Sequence, residues 1–381
     1  MVQNKQRKFM FLYLNTGGGH VSAARVLKQS IEDSYDTAAV ELLNGFDRSN
    51  SHLKLFFEKG YHAALTFAPG AFSLIYEAAK LRFTQASFSK IIKPTTSVSL
   101  EKKFKEYGVT DVVSFHFALT TSAVSAIRRL GNTIRLSVVV TDPFTAPPAW
   151  FYEKNIQYYV YSQQAKNDAV TNCGIPEHQI SVAPFLIGKK FLTPCNPEEL
   201  LIYKKKHGFP VNKKLVLLAG GGEGLPGAFA IVTECAKNKA KFSLTVVCGH
   251  DKATYNNLKL LKLAYPYLDL HVFGFVSFMD ELIKSCDCAV IKAGPATLME
   301  VLHSKKPVII STYIHGQELG NVRFAVEHNC GWFIQKPKAI FEKINNLFSD
   351  DQYYDKIQSA LEKLPIEINN EKFARILMEN Q

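Results

Sequence analysis

Two places in the chain carry the same pattern of apolar and polar positions. Lys8 to Leu14 is a short apolar run that Gly17, Gly18 and Gly19 interrupt, after which Ala23, Val26, Leu27 and Ile31 recur at helical spacing. About two hundred residues further on, Lys214 to Ala219 is again apolar, Gly220, Gly221 and Gly222 break it, and Ala228 to Ala236 reads as helix. Each predicts a strand, a tight turn and a helix, the opening unit of an α/β fold.

Further apolar runs at Asp111 to Phe115 and Leu136 to Val140 flank a helical segment, Thr120 to Leu130. In the second half, strands are expected at Phe242 to Cys248, Leu268 to Phe273, Cys286 to Ile291 and Pro307 to Ser311. Helices are expected at Met279 to Ser285, Thr297 to His303 and Asn321 to His328. This rhythm predicts an α/β protein with two doubly wound, Rossmann-like lobes. The polar, proline-punctuated stretch Gly188 to Glu198 is the expected connector. The expected organisation is a first lobe over residues 1–190, a second over 191–362, and a C-terminal helix in 363–381 that crosses back onto the first.

A chain of 381 residues exceeds the roughly 250 to 300 at which one hydrophobic core stops growing, which fits two domains. The net charge of +11 favours an anionic partner: nucleic acid, an acidic lipid surface or a phosphorylated small molecule. No stretch approaches the ~18 apolar residues of a spanning helix, so a soluble or peripherally membrane-associated cytoplasmic protein is expected. The seven cysteines are scattered; the close pair Cys286 and Cys288 would alternate across a strand, which favours reduced, buried thiols over zinc or a disulfide. No helix-turn-helix, zinc-finger or RNA-binding signature is present, so no nucleic-acid partner is expected.

Glycine turns after strands let the backbone approach a phosphate, whose charge is met by free N–H groups and by a helix N-terminus. His20 closes the first such turn, and an imidazole of ordinary pKa about 6.5 suits proton removal from an alcohol. The densest set of candidates lies between Gly274 and Asn321. Gly294 and Pro295 open a helix that can receive a diphosphate, and Glu300, one turn inside, can accept hydrogen bonds from ribose hydroxyls. Gln317, Glu318 and Asn321 can bind sugar hydroxyls. No two aspartates stand two positions apart, so the Asp-x-Asp metal clamp is missing and no metal or cofactor is expected; backbone dipoles would stabilise the leaving diphosphate. Taken singly, each feature has a plain structural explanation: a capping histidine, an ordinary turn, a solvated helix charge.

Asn-Thr-Gly-Gly-Gly-His-Val-Ser-Ala-Ala at 15–24 resembles the opening of monogalactosyldiacylglycerol synthases and processive diacylglycerol glucosyltransferases. Val-Val-Thr-Asp-Pro at 139–143 with Trp150, Leu-Ala-Gly-Gly-Gly-Glu-Gly at 218–224, Cys-Gly-His at 248–250 and the Gly274 to Asn321 segment follow in that family's order. The resemblance spans about residues 8 to 335 and implies the GT-B architecture, two Rossmann-like lobes facing a cleft. It implies an inverting transfer of galactose or glucose from a UDP-sugar to diacylglycerol. By position, His20 is the implied base and Asp142 the rival or assisting acid. Gly221, Gly222, His250, Phe275, Val276, Gly294, Pro295, Ala296, Thr297 and Glu300 fall to the donor, with Gln317, Glu318 and Asn321 at its sugar. Gly18, Gly19, His116 and Trp150 fall to the acceptor. His116-Phe117 replaces a more usual His-Pro, and Ala146-Pro147-Pro148 precedes Trp150 in place of polar residues.

His52 to Ile92 mixes Phe56, Phe57, Tyr61 and Phe67 with Lys54, Lys59, Lys80 and Arg82, a composition that suits either an anionic membrane surface or a buried aromatic helix with a solvated face. Other outcomes remain open at this point: a different acceptor such as a lipid-linked peptidoglycan precursor, or a catalytically inactive relative that binds nucleotide or membrane.

Overall fold

The computed structural model describes residues 6–15, 18–46, 82–315 and 317–379, with side chains from residue 95 onward in the helix Arg82–Tyr107. It divides into two units, one of Met1–Ile187, His315–Gln317 and Ile366–Gln381, the other of Gly188–Ile314 and Glu318–Pro365.

The first unit holds six parallel strands: β1 (Arg7–Tyr13), β2 (Ala38–Asn44), β3 (Asp111–Ser114), β4 (Arg135–Val139), β5 (Gln157–Val160) and β6 (Ile180–Val182), in the order β2-β1-β3-β4-β5-β6. The chain runs outward from β1 to β2 and then returns to the other side of β1, so the switch point lies between β1 and β3. Parallel strands covered on both faces carry apolar residues nearly continuously, and Phe9, Met10, Phe11 and Leu12 are all buried. Helices Phe117–Arg129 and Gln163–Cys173 cover one side, pinned by His116 and Ser162 as N-caps. Among the described residues, one apolar core forms around Leu12, Phe46, Phe104 and Leu119 and another around Val138, Trp150, Tyr158 and Ile180.

The last helix, Asn370–Glu379, belongs to this unit and buries Phe373, Ala374 and Leu377. The Arg7 guanidinium donates to both oxygens of Asp111, at 3.2 and 2.6 Å, and to the Met378 carbonyl at 2.5 Å, so a cation sits where the helix leaves its carbonyls unpaired. Arg135 takes the same carboxylate at 2.7 and 3.1 Å. Asp111 is held below the usual carboxylate range by these bonds, against the opposing effect of its burial.

The second unit repeats the plan with β7 (Leu215–Ala219), β8 (Ser243–Val247), β9 (Leu270–Phe273), β10 (Cys288–Lys292), β11 (Val308–Thr312) and β12 (Gly331–Phe333), ordered β12-β11-β10-β7-β8-β9 and all parallel. Its switch point lies between β7 and β10. The first helix, Pro197–His207, opens with a capping box of Asn196 and Glu199 and closes on Gly208 in the left-handed conformation. Cys286 ends the helix Met279–Ser285 and does not lie in β10, which begins at Cys288; the Asp287 carboxylate between them accepts the Leu215 N–H at 2.9 Å. The expected alternation of the two thiols along one strand therefore does not occur. All seven cysteines are free thiols.

Among the described residues no helix is long and apolar enough to cross a membrane, and no group of three or more His, Cys, Asp or Glu is placed to hold a metal ion. The side chains of the aromatic and basic stretch His52 to Ile92 lie outside the described residues, as do Gly17 and Gly316.

Candidate active site

Ligands of open α/β sheets bind outside the carboxyl ends of the strands at the switch point. In the first unit three adjacent strands, β1, β3 and β4, deliver candidate residues there. Gly18 and Gly19 form the first turn of the helix Gly18–Ser34 that follows β1, and His20 comes directly after them, buried. Phe115 and His116 follow β3, and Thr141 and Asp142 follow β4.

His20 is fixed through one nitrogen. Its Nδ1 lies 2.9 Å from the Phe115 carbonyl and 2.7 Å from the Thr141 hydroxyl. A carbonyl oxygen only accepts, so the proton sits on Nδ1 and Nε2 carries the lone pair, the tautomer of a base. Burial pushes the His20 pKa down to about 4, only partly offset by the bond to Phe115, so the ring is neutral at ordinary pH. His116 lies beside it, ring centroids 4.6 Å apart. Its Nδ1 accepts the Ala118 N–H at 3.2 Å, and burial together with neighbouring His20 lowers its pKa well below the ordinary value.

Asp142 is buried, with Oδ2 accepting the Trp150 indole N–H at 2.7 Å and Oδ1 accepting the Gln317 amide at 3.1 Å. Trp150 is only 1% exposed and gives its indole N–H to Asp142. The structure thus brings His20, His116, Asp142, Trp150 and Gln317 into one unit. It adds Thr141 and the Phe115 carbonyl, which the sequence analysis did not single out although Thr141 lies within the quoted Val-Val-Thr-Asp-Pro run.

In the second unit the loops after β7 and β10 flank the switch point. The Gly220–Gly227 loop lies against the turn Cys248–His250, where the His250 N–H donates to the Gly222 carbonyl at 2.8 Å. The contact needs glycine on both sides: a Cβ on Gly249, whose φ is +57°, would meet the Gly222 oxygen at 2.0 Å, and one on Gly224, φ +74°, the Cys248 oxygen at 2.6 Å. Gly221 and Gly222 remain exposed. The exposed His250 ring stacks on Phe275, centroids 4.7 Å apart and planes at 9°, while Phe275 itself is 65% exposed. The two rings form a flat aromatic shelf beside Val276, a surface suited to a nucleobase.

After β10, Gly294 caps the helix Pro295–His303 with no side-chain hydrogen bond. Pro295 has no N–H, which leaves those of Ala296 and Thr297 in the first turn for an anion. Glu300 is half-buried one turn in; desolvation and then nearby Asp280 push its pKa up to about 8, so its carboxyl carries a proton near neutrality and can donate as well as accept. Glu318 is buried, paired with Lys292 Nζ at 3.2 Å and accepting the Ile314 N–H at 2.7 Å. Asn321 is also buried and donates to the Ala293 carbonyl at 2.7 Å. These two side chains therefore brace the loops after β10 and β11; Lys292 and Asp280 are the partners that sequence inspection missed.

The description "Monogalactosyldiacylglycerol (MGDG) synthase" matches residues 20–184, and "Glycosyltransferase family 28 C-terminal domain" matches residues 215–374. Each of the two matches covers less than half of the chain, which is thus similar to monogalactosyldiacylglycerol synthases over its first part and to family 28 glycosyltransferases over its second. Monogalactosyldiacylglycerol synthase 1 of Arabidopsis thaliana, a chloroplastic protein, is 27% identical over 366 residues, covering 91% of this chain and 65% of the plant protein. The chain thus spans just under two thirds of that relative's length. The processive diacylglycerol beta-glucosyltransferase of Bacillus licheniformis is 23% identical over 368 residues, covering 97% of this chain and 94% of its own. Among solved structures, Anabaena HepE in complex with UDP-glucose aligns with a TM-score of 0.61 at 14% identity, covering 98% of each chain. The two parallel six-stranded α/β units of this chain are thus of the GT-B type seen in that structure.

Proposed function

We propose that this protein is an inverting glycosyltransferase that moves a hexose from a UDP-sugar to the free hydroxyl of diacylglycerol. The observation that carries the proposal is the His20 imidazole, whose Nδ1 is tied to a backbone carbonyl so that Nε2 is held as an unprotonated base. In the proposed step the lipid hydroxyl oxygen attacks C1 of the sugar as its proton passes to His20 Nε2. The bond from C1 to the diphosphate oxygen breaks on the opposite face, the electron pair leaves with UDP, and the anomeric centre inverts to a β-linkage. Base assistance of this kind contributes roughly a hundred- to ten-thousand-fold.

The donor assignment rests on the second unit. The diphosphate is met by the Ala296 and Thr297 N–H groups at the helix start and by the exposed glycine backbone after β7. The uracil stacks at the His250 and Phe275 shelf, and Glu300, being protonated, shares hydrogen bonds with the ribose diol. Fixed dipoles of this kind take up the charge that develops on the departing diphosphate without a metal ion. Asp142, held by Trp150 and Gln317, orients the acceptor hydroxyl.

The test is mass spectrometry of lipids after the purified protein is incubated with diacylglycerol vesicles and separate UDP-sugars. A hexosyl-diacylglycerol is expected, reduced at least about a hundredfold by His20→Ala. Transfer only to a lipid-linked peptidoglycan precursor, or UDP binding with no transfer to either lipid, would refute the acceptor.

A further inference from the structure

Outside the candidate site, the second unit exposes apolar side chains in a strongly basic setting. The helix Lys252–Ala264 buries Leu258 and Leu261 against its sheet. On its outer side Leu263 is 77% and Leu260 65% exposed, and Tyr267, in the turn that follows, is 52% exposed. Solvent-facing leucines one turn apart on a helix that already has a buried face are not explained by the packing of that helix.

The residues around them in sequence are mostly basic. Lys252, Lys259 and Lys262 are exposed on the same helix, and the Lys259 ammonium lies 4.7 Å over the Tyr255 ring. The Tyr267 hydroxyl donates to the Ala236 carbonyl at 2.9 Å, which ties the turn to the end of the helix Ala228–Lys237 and brings the exposed Lys237 and Lys239 alongside. From Lys237 to Leu268 the only acid is Asp251, whose carboxylate caps the helix by accepting the Thr254 N–H at 2.9 Å.

We infer that the face bearing Leu260, Leu263 and Tyr267, ringed by these lysines, docks the second unit onto an anionic lipid bilayer. Apolar tips enter the headgroup boundary while lysines meet lipid phosphates, the two-part attraction that holds peripheral proteins at interfaces. A lipid surface fits better than a soluble polyanion because the centre of the patch is leucine, which a polyanion has no use for. The inference rests on the lipid acceptor proposed above: an acceptor that never leaves the bilayer requires the enzyme to come to it, and this face gives the second unit its own foothold.

The test compares the full chain with a Leu260→Ser, Leu263→Ser double variant and a Lys259→Gln, Lys262→Gln double variant, by co-sedimentation with phosphatidylcholine vesicles with and without phosphatidylglycerol. Both leucines project into solvent, so thermal melting is expected to be unchanged. The leucine variant should partition on the order of tenfold or more weakly onto anionic vesicles, and the lysine variant similarly, with a loss that added salt mimics. Transfer to a short-chain diacylglycerol dispersed in water should be unaffected in both.

Equal partition of the leucine variant and the parent would overturn the inference, as would a loss confined to the lysine variant, which marks a plain polyanion site. A lipid-free dimer that dissociates on leucine substitution would overturn it too, because the face would then pair two copies of the chain. Vesicle binding that depends on the leucines while no diacylglycerol is ever glycosylated would leave this surface standing and remove the acceptor instead.

Discussion

Lowering the pH should destabilise the first unit through His20. The ring's pKa is about 4 in the folded protein against 6.5 for a free side chain, because burial penalises the charged form. The unfolded chain therefore takes up a proton as pH falls through 6.5, whereas the folded chain resists until about 4. The stability this contributes is fully present above pH 6.5, declines as the pH falls, and is gone below about 4. A shift of about 2.5 units at 1.36 kcal/mol per unit corresponds to about 3 kcal/mol, of which roughly 2 to 2.5 kcal/mol is lost between pH 7 and 4.5. His116, lowered by burial beside it, acts in the same direction. The two tryptophans, Trp150 and Trp332, fall in different units, and Trp150 lies 6.0 Å from His20 by ring centroids. A Trp332→Phe background thus makes indole fluorescence a reporter of the first unit. Urea unfolding followed at pH 7 and 4.5 should show a parent more acid-sensitive than its His20→Gln derivative by about 2 kcal/mol. Identical pH dependence in the two proteins would refute both the neutral buried imidazole and the base role built on it.

Trp150→Phe keeps most of the buried ring but removes the N–H that Asp142 accepts, so a loss of about 1.5 to 3 kcal/mol of stability is expected from urea unfolding. The same variant should lower kcat for transfer by about tenfold or more if Asp142 orients the acceptor, while KM for the UDP-sugar stays near that of the parent. Gly249→Ala places a methyl on the Gly222 carbonyl at a positive φ, so it should push the glycine loop out of position. UDP affinity by calorimetry should fall at least about tenfold, with the first unit's unfolding transition unchanged.

The two sheets were legible because parallel strands are buried on both faces, so Lys214 to Ala219 and its counterparts stand out as apolar runs bounded by glycine turns. Joints between elements were less legible. Cys286-Asp287-Cys288 reads as an alternating strand, but the Asp287 side chain is spent on the Leu215 N–H, and that tertiary bond separates helix from strand. The glycines and the helix start at Gly294 were found from local chemistry, since a tight turn leaves its mark in the residue types themselves. Burial leaves no such mark. Nothing adjacent in sequence says that Trp150 is enclosed, that Lys292 meets Glu318, or that Asp280 lies near enough to Glu300 to help keep it protonated. The apolar face of the last helix, with Phe373, Ala374 and Leu377, announces that it must be covered without saying by what.

Arg7, bound at once to Asp111 and to the carbonyl end of the final helix, has a consequence for synthesis on the ribosome. The first unit's sheet is complete once Val182 has emerged, yet the helix that finishes this unit follows about 180 residues after Ile187. At roughly 5 to 20 residues per second, that leaves on the order of 10 to 40 seconds in which the sheet exists without its last helix. During that interval Arg7 lacks the helix carbonyls, and the surface that Phe373 and Leu377 will cover is open to water or to a chaperone. Emergence of the helix Asn370–Glu379, rather than of the first sheet, is the event that completes the unit bearing His20.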